Sequence, residues 1–264
     1  MLSASVSYRI ITENMDRTLK TTAERPQVAR ETEYYLKNIG NVKTIDDFIK
    51  DDRLFNYAMK ATGLSDMAYA KAFMRKALTE GIDKPDTFAN KLADPRYKQF
   101  VETFNFARYG ETATSLPKVE QAVVDKYLRQ TVEEDAGNQN EGARLALYFE
   151  RAASGIKTTF NILADKALLK VVQTAFQIPE MTSLMDIDKQ AAMLEKRLNV
   201  EDLKDPEKLK AFITRFTALW EVTNGGSSAG NPTNGALTVL GNMSGMGISS
   251  DVLSAIQNLK MGGR

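Results

Sequence analysis

Apolar residues recur at helical spacing along almost the whole chain. Ile45, Phe48, Ile49, Phe55 and Met59 fall on one side of a helix. Ala70, Phe73, Met74, Ala77 and Leu78 repeat the i, i+3, i+4, i+7, i+8 pattern. Ile162, Leu163, Leu169, Val172 and Phe176, then Ile187, Ala191, Leu194 and Leu198, do the same further on. No stretch alternates apolar and polar residues between hairpin turns, so no strand is predicted. The pattern predicts helices over 4–19, 25–39, 45–62, 66–80 and 95–108, then over 117–135, 141–153, 159–176, 186–198 and 206–221.

These two sets are related. Residues 30–64 align without a gap onto 144–178, an offset of 114. Arg30, Tyr34, Lys43, Thr44, Asp51, Leu54 and Ala61 meet Arg144, Tyr148, Lys157, Thr158, Asp165, Leu168 and Ala175. Asp94-Pro95 with Phe100 and Phe104 answers Asp205-Pro206 with Phe212 and Phe216. The punctuation also agrees. Thr44 and Thr158 stand where N-caps belong, and each Asp-Pro reads as an N-cap followed by Pro at N1, where a missing N–H costs nothing. Gly63 and Gly81 read as helix stops; Asn199 stands in for Gly81. The expected fold is all-α, with two tandem, internally duplicated units of about five helices each, at 1–111 and 112–222. Residues 223–264 form a third part. Gly225-Gly226-Ser227-Ser228 through Asn234-Gly235 has a linker composition, and a short helix is expected near 250–259.

Composition narrows the chemistry. A hydrophobic content of 43% is enough for a substantial core, and a net charge of +1 predicts no strong pull toward nucleic acid or anionic membrane. No apolar run approaches the roughly 20 residues that span a bilayer. Met1 to Thr21 lacks the apolar centre of a cleavable signal. The chain contains no Cys and no His. Disulfides, thiolate nucleophiles, His-based acid–base catalysis and ordinary zinc sites are thereby excluded.

Few residues suggest chemistry. The carboxylates Asp46, Asp47, Asp51 and Asp52 cluster, but only Asp51 has an aspartate counterpart, so a solvated helix face is expected. Asp47, Asp51 and Asp52 would carry the alternative reading, a helical domain binding a small ligand or a divalent metal without His or Cys. Glu133-Glu134-Asp135 reads as a solvated helix end before a turn at Gly137-Asn138-Gln139-Asn140. The glycines of 241–247 follow no strand and make no nucleotide loop. Aromatic residues recurring at helical spacing are assigned to the core. No catalytic, cofactor or metal residue is assigned. Partner contacts are expected from the helical surfaces of the two units and from apolar residues of the third part: Leu237, Leu240, Val252, Leu253, Ile256 and Leu259.

The string Phe48-Ile49-Lys50-Asp51-Asp52-Arg53-Leu54-Phe55-Asn56-Tyr57-Ala58-Met59-Lys60-Ala61-Thr62-Gly63-Leu64, followed by Leu92-Ala93-Asp94-Pro95-Arg96-Tyr97, resembles an alphaproteobacterial family of unknown function whose genes often lie in flagellar clusters. The resemblance implies an all-helical protein with a flagellar association, and the repeat without any catalytic constellation adds the expectation of a non-enzymatic one. It would act through contacts with other proteins, flagellar components among them, in flagellar assembly, structure or regulation. Its expected place is the cytoplasm, or the flagellum after export without a cleaved signal. It supplies no catalytic residue, and the third part lies outside the matched string.

Overall fold

The computed structural model describes residues 2–224, and among these every regular element is helical. The expected all-α class holds. The expected contact residues Leu237, Leu240, Val252, Leu253, Ile256 and Leu259 lie outside the described residues.

The α-helices are α1 (Ala4–Glu13), α2 (Met15–Ala23), α3 (Pro26–Asn38), α4 (Ile45–Lys50), α5 (Asp52–Ala61), α6 (Lys71–Glu80), α7 (Phe88–Lys91), α8 (Pro95–Thr103), α9 (Phe106–Tyr109), α10 (Gln121–Gln139), α11 (Glu141–Ala153), α12 (Thr159–Leu163), α13 (Lys166–Ala175), α14 (Ile187–Glu195) and α15 (Pro206–Asn224). Short 3-10 turns join several of them, including Ser65–Met67, Gly110–Ser115 and Glu180–Leu184.

The helices expected over 45–62 and 159–176 are each broken in two, at aspartates that apolar periodicity conceals. Asp51 leaves the helical region, and its side chain accepts hydrogen bonds from the Arg53 and Leu54 N–H groups, both at 3.0 Å. Asp165 does the same for Ala167 and Leu168, at 2.8 and 3.1 Å. Each caps a new helix and turns the chain, while the apolar positions on either side keep facing one core. The expected helix over 4–19 likewise divides, at Asn14.

Two cores result. The first gathers Tyr35, Phe48, Phe55, Phe100 and Phe104 with residues from Val28 to Tyr127. Its rings meet edge-on and tilted, Phe48 lying 5.9 Å from Phe55 and 4.8 Å from Phe104. The second gathers Phe149, Leu168, Val172, Ile213, Phe216 and Trp220. Core membership does not follow chain order. Ala4 of α1 is buried in the second core, whereas Val119, Val123 and Tyr127 of the α10 region are buried in the first.

Helix α10 runs between the cores and packs on α2, α3 and α5 as well as α11. The expected turn at 137–140 shrinks to Asn140, because α10 continues through Gln139. Gly142 lets the first turn of α11 lie against Trp220, since a Cβ there would come within 2.3 Å of the indole Cδ1. Beside it, Glu221 of α15 accepts hydrogen bonds from the Ala4 N–H at 2.5 Å and from Asn140 Nδ2 at 3.0 Å. That carboxylate ties both ends of the described chain to the α10–α11 corner.

Candidate functional site

The carboxylates singled out in the sequence do not converge. Asp46 pairs with Arg75, and Asp52 pairs with Lys71 at 2.5 Å. Asp47 accepts the Thr44 hydroxyl at 2.7 Å while its N–H donates to Thr44 Oγ1 at 3.1 Å. Asp51 caps α5 and accepts the Tyr34 hydroxyl at 2.7 Å. Among the described residues no three Asp or Glu side chains gather in a metal-holding group.

The dense polar chemistry lies elsewhere, along the seam where α10 and α11 meet. Glu133 is 1% exposed. It accepts two hydrogen bonds from the Arg151 guanidinium, at 2.6 and 2.8 Å, and a longer one from Arg129 Nε at 3.3 Å. Arg129 also reaches Glu150 at 3.4 Å and Met15 Sδ at 2.9 Å. This arrangement corrects the solvated reading of residues 133–135. Glu134 pairs with Lys60 at 2.7 Å and Asp135 with Arg25, so the three acids serve three different joints. Glu133 is buried because α10 is covered by α2, α3, α5 and α11 and therefore has little solvent face. A hydrophobic pattern read along one helix carries no signal of that.

The seam continues toward the first core. Arg96 of α8 holds Asp94 through Nε and Nη2, at 3.0 and 2.7 Å, and donates from Nη1 to the Gly63 carbonyl at 2.5 Å. Tyr148 of α11 donates to Asp165, and the Arg151 guanidinium carbon lies 5.2 Å from its ring centre. Burial, followed by the Asp165 charge, lifts the Tyr148 pKa well above the ordinary tyrosine value, with Arg96 and Arg151 pulling the other way. Burial opposes the charges of Arg96 and Arg151, but the hydrogen bonds they donate to Asp94 and Glu133 outweigh it, so both stay firmly protonated. Tyr8 of α1 is shifted upward by burial and by Glu150. Each guanidinium is engaged by a carboxylate. In this state the seam works as a joint between the cores.

A second surface is apolar. Met181, Leu184, Met185 and Ile187 stand together at the 3-10 turn Glu180–Leu184 and the start of α14. They are 73, 89, 43 and 54% exposed. Phe160, on α12 against which α14 packs, is 44% exposed. In the first unit, Tyr69, just after the corresponding 3-10 turn Ser65–Met67, is 81% exposed. Sequence reading placed no candidate here, because a run such as Met181 to Ile187 has the composition of an ordinary core segment.

Buried aromatic cores, helix-breaking aspartates and an ionic seam define a class of all-helical protein joined by a polar interface. Residues 61–209 match the family described as a protein of unknown function (DUF1217), and the chain belongs to that family. It is also similar to the crystal structure of protein AGR_C_984 from Agrobacterium tumefaciens. The two share 48% identity over 85% of this chain and 97% of that one, with a TM-score of 0.78. No curated protein matches the chain. No helix among the described residues is long and apolar enough to cross a membrane.

Proposed function

We propose that this protein works without catalysis, through protein–protein contacts, in flagellar assembly, structure or regulation. One observation carries the contact reading: Met181, Leu184, Met185 and Ile187 fall within the stretch 181–187, and all are large, apolar and exposed. Such a group, set among the helix-rim charges Glu180, Asp186 and Asp188, has the make-up of a docking surface. Methionine suits it, since a flexible thioether side chain adapts to an irregular partner. The flagellar part rests on the resemblance of residues 48–64 and 92–97. We also propose that residues 30–64 and 144–178 descend from one duplicated unit, a reading supported by their shared caps and helix ends.

Cross-linking with mass spectrometry in motile cells tests the contact reading. The double variant Met181→Asp, Leu184→Asp is expected to keep its melting temperature within a few degrees and to lose the cross-links of the parent protein. Unchanged cross-links would remove the surface from consideration. Deleting the gene tests the flagellar part, and normal motility with normal filaments would overturn it.

A further inference from the structure

Methionine sulfur differs from the other apolar atoms of the 181–187 surface in being a nucleophile, open to attack on electrophilic oxygen. Met181 and Met185 both stand in solvent there. The other described methionines are placed differently. Met59 and Met74 are fully buried. Met15 and Met67 are half-buried, and their sulfurs accept hydrogen bonds, from Arg129 Nη1 at 2.9 Å and from the Tyr69 hydroxyl at 3.8 Å. Met193 is half-buried against the second core. The chain has no cysteine, so no thiol of its own competes for an oxidant.

We propose that Met181 and Met185 form a reversible oxidation site for hydrogen peroxide, and that their conversion to sulfoxide releases whatever protein is docked on this surface. The proposal rests on the docking reading of the same residues. In the step, a sulfur lone pair attacks one peroxide oxygen. The S–O bond forms as the O–O bond breaks, and the second oxygen leaves as water. Each sulfur gives up two electrons and the peroxide takes them. A methionine sulfoxide reductase using a dithiol reverses the change: the sulfoxide oxygen leaves as water and the dithiol becomes a disulfide.

Oxidation changes the surface and spares the fold. A sulfoxide oxygen is a strong acceptor, and covering it with an apolar partner that offers no donor is unfavourable. The polar residues interspersed with the two methionines supply carboxylates: Glu180 is held by Lys170, and Asp186 caps α14 by accepting the Asp188 N–H at 3.0 Å. Beneath them, buried Gln190 donates from Nε2 to the Met185 carbonyl at 2.7 Å and to the Ser183 carbonyl at 3.3 Å. Gln173 donates to Ser183 Oγ at 2.9 Å. These bonds use no methionine side chain, so the turn keeps its shape when the two sulfurs are oxidised.

Two measurements test it. The full-length protein is exposed to hydrogen peroxide, and oxygen uptake at each methionine is followed by peptide mass spectrometry. Met181 and Met185 are expected to gain one oxygen each at least about ten times faster than Met59 and Met74, and ahead of Met15 and Met67, with the melting temperature held within a few degrees. Equal rates at all of these positions, or unfolding in step with oxidation at Met181 and Met185, would overturn the proposal. The second measurement is cross-linking in motile cells after a peroxide pulse, comparing the parent with the variant Met181→Leu, Met185→Leu, which keeps the apolar surface and has no sulfur there. The parent is expected to lose its cross-links and the leucine variant to keep them. Cross-links kept by the parent after peroxide, or lost equally from both, would overturn the oxidation proposal. Failure of the docking reading is seen separately and without peroxide, as unchanged cross-links in Met181→Asp, Leu184→Asp, and it would take this proposal with it.

Discussion

Segments 30–64 and 144–178 end their central helices with the same backbone device, built from different residues. In the first, Gly63 takes φ +72°, and the Leu64 N–H donates to the Met59 carbonyl at 2.8 Å. In the second, Gln177 takes φ +53°, and the Ile178 N–H donates to Gln173 at the same distance. Both are helix stops of the Schellman kind, closed by a buried apolar residue. Among the described residues Gln177 is the one non-glycine with positive φ. A left-handed turn is therefore a property of the position. Glycine makes it easier, and the surrounding packing enforces it where glycine is missing.

The two segments differ in what surrounds an identical pair. Tyr34 donates to Asp51 near the surface, with the Arg53 guanidinium 3.8 Å from its ring centre and Glu31 holding that arginine. Tyr148 donates to Asp165, which is only 8% exposed and faces Arg96 and Arg151 across the seam. Lys37 is the counterpart of Arg151, and it stands exposed on α3. The same local design serves as a surface cap in one segment and as part of an inter-core joint in the other.

The largest expected effect that tests this contrast is alkaline. Burial is the leading cause of the raised pKa of Tyr35, Tyr57 and Tyr127 in the first core. Tyr8 and Tyr148 on the side of the second are raised by burial in the same way. A folded-state pKa above the unfolded value gives stability that is fully present below about pH 10 and fades as pH rises further. Melting temperature should therefore be level below pH 9 and fall steeply above pH 10. Hydrogen exchange should show the first core opening before the second; simultaneous opening would mean the two cores unfold as one.

The seam predicts the next largest difference. Arg151→Ala removes the two-pronged partner of buried Glu133 and should cost about 3 kcal/mol, whereas Lys37→Ala should stay within about 0.5 kcal/mol. Chemical denaturation of both variants measures the gap, and equal losses would break the contrast. Asp51→Ala and Asp165→Ala both remove an N-cap, worth about 1 kcal/mol. The second also strands Tyr148 and seam charge, for a total of about 2 to 3 kcal/mol. The smallest effect is a gain. Gln177→Gly should stabilise by about 0.5 to 1 kcal/mol, and Gly63→Gln should destabilise by about as much.

Much of the fold could be read from the residues. The helix over 141–153 and the caps at Thr44, Asp94 and Asp205 follow from local pattern and side-chain chemistry. The interruptions at Asp51 and Asp165 were concealed because their flanking apolar residues stay in phase with an unbroken helix. The role of Glu133 was concealed for another reason, since neighbours such as Arg151 come from a different helix. The surface at Met181 to Ile187 was invisible as well, because exposure belongs to the assembled molecule.

The sequence by itself determined the helical class, the echo at 114 residues and the absence of thiol and imidazole chemistry. Each depends on spacing within a few turns or on which residues are present. Only the tertiary structure decided that α10 would lie between two cores, bury a carboxylate and bind it to arginine. The physical reason is that desolvation and ion pairing depend on what packs against a residue from elsewhere in the chain. Two segments with the same local pattern can therefore meet different surroundings, one in water and one in a seam.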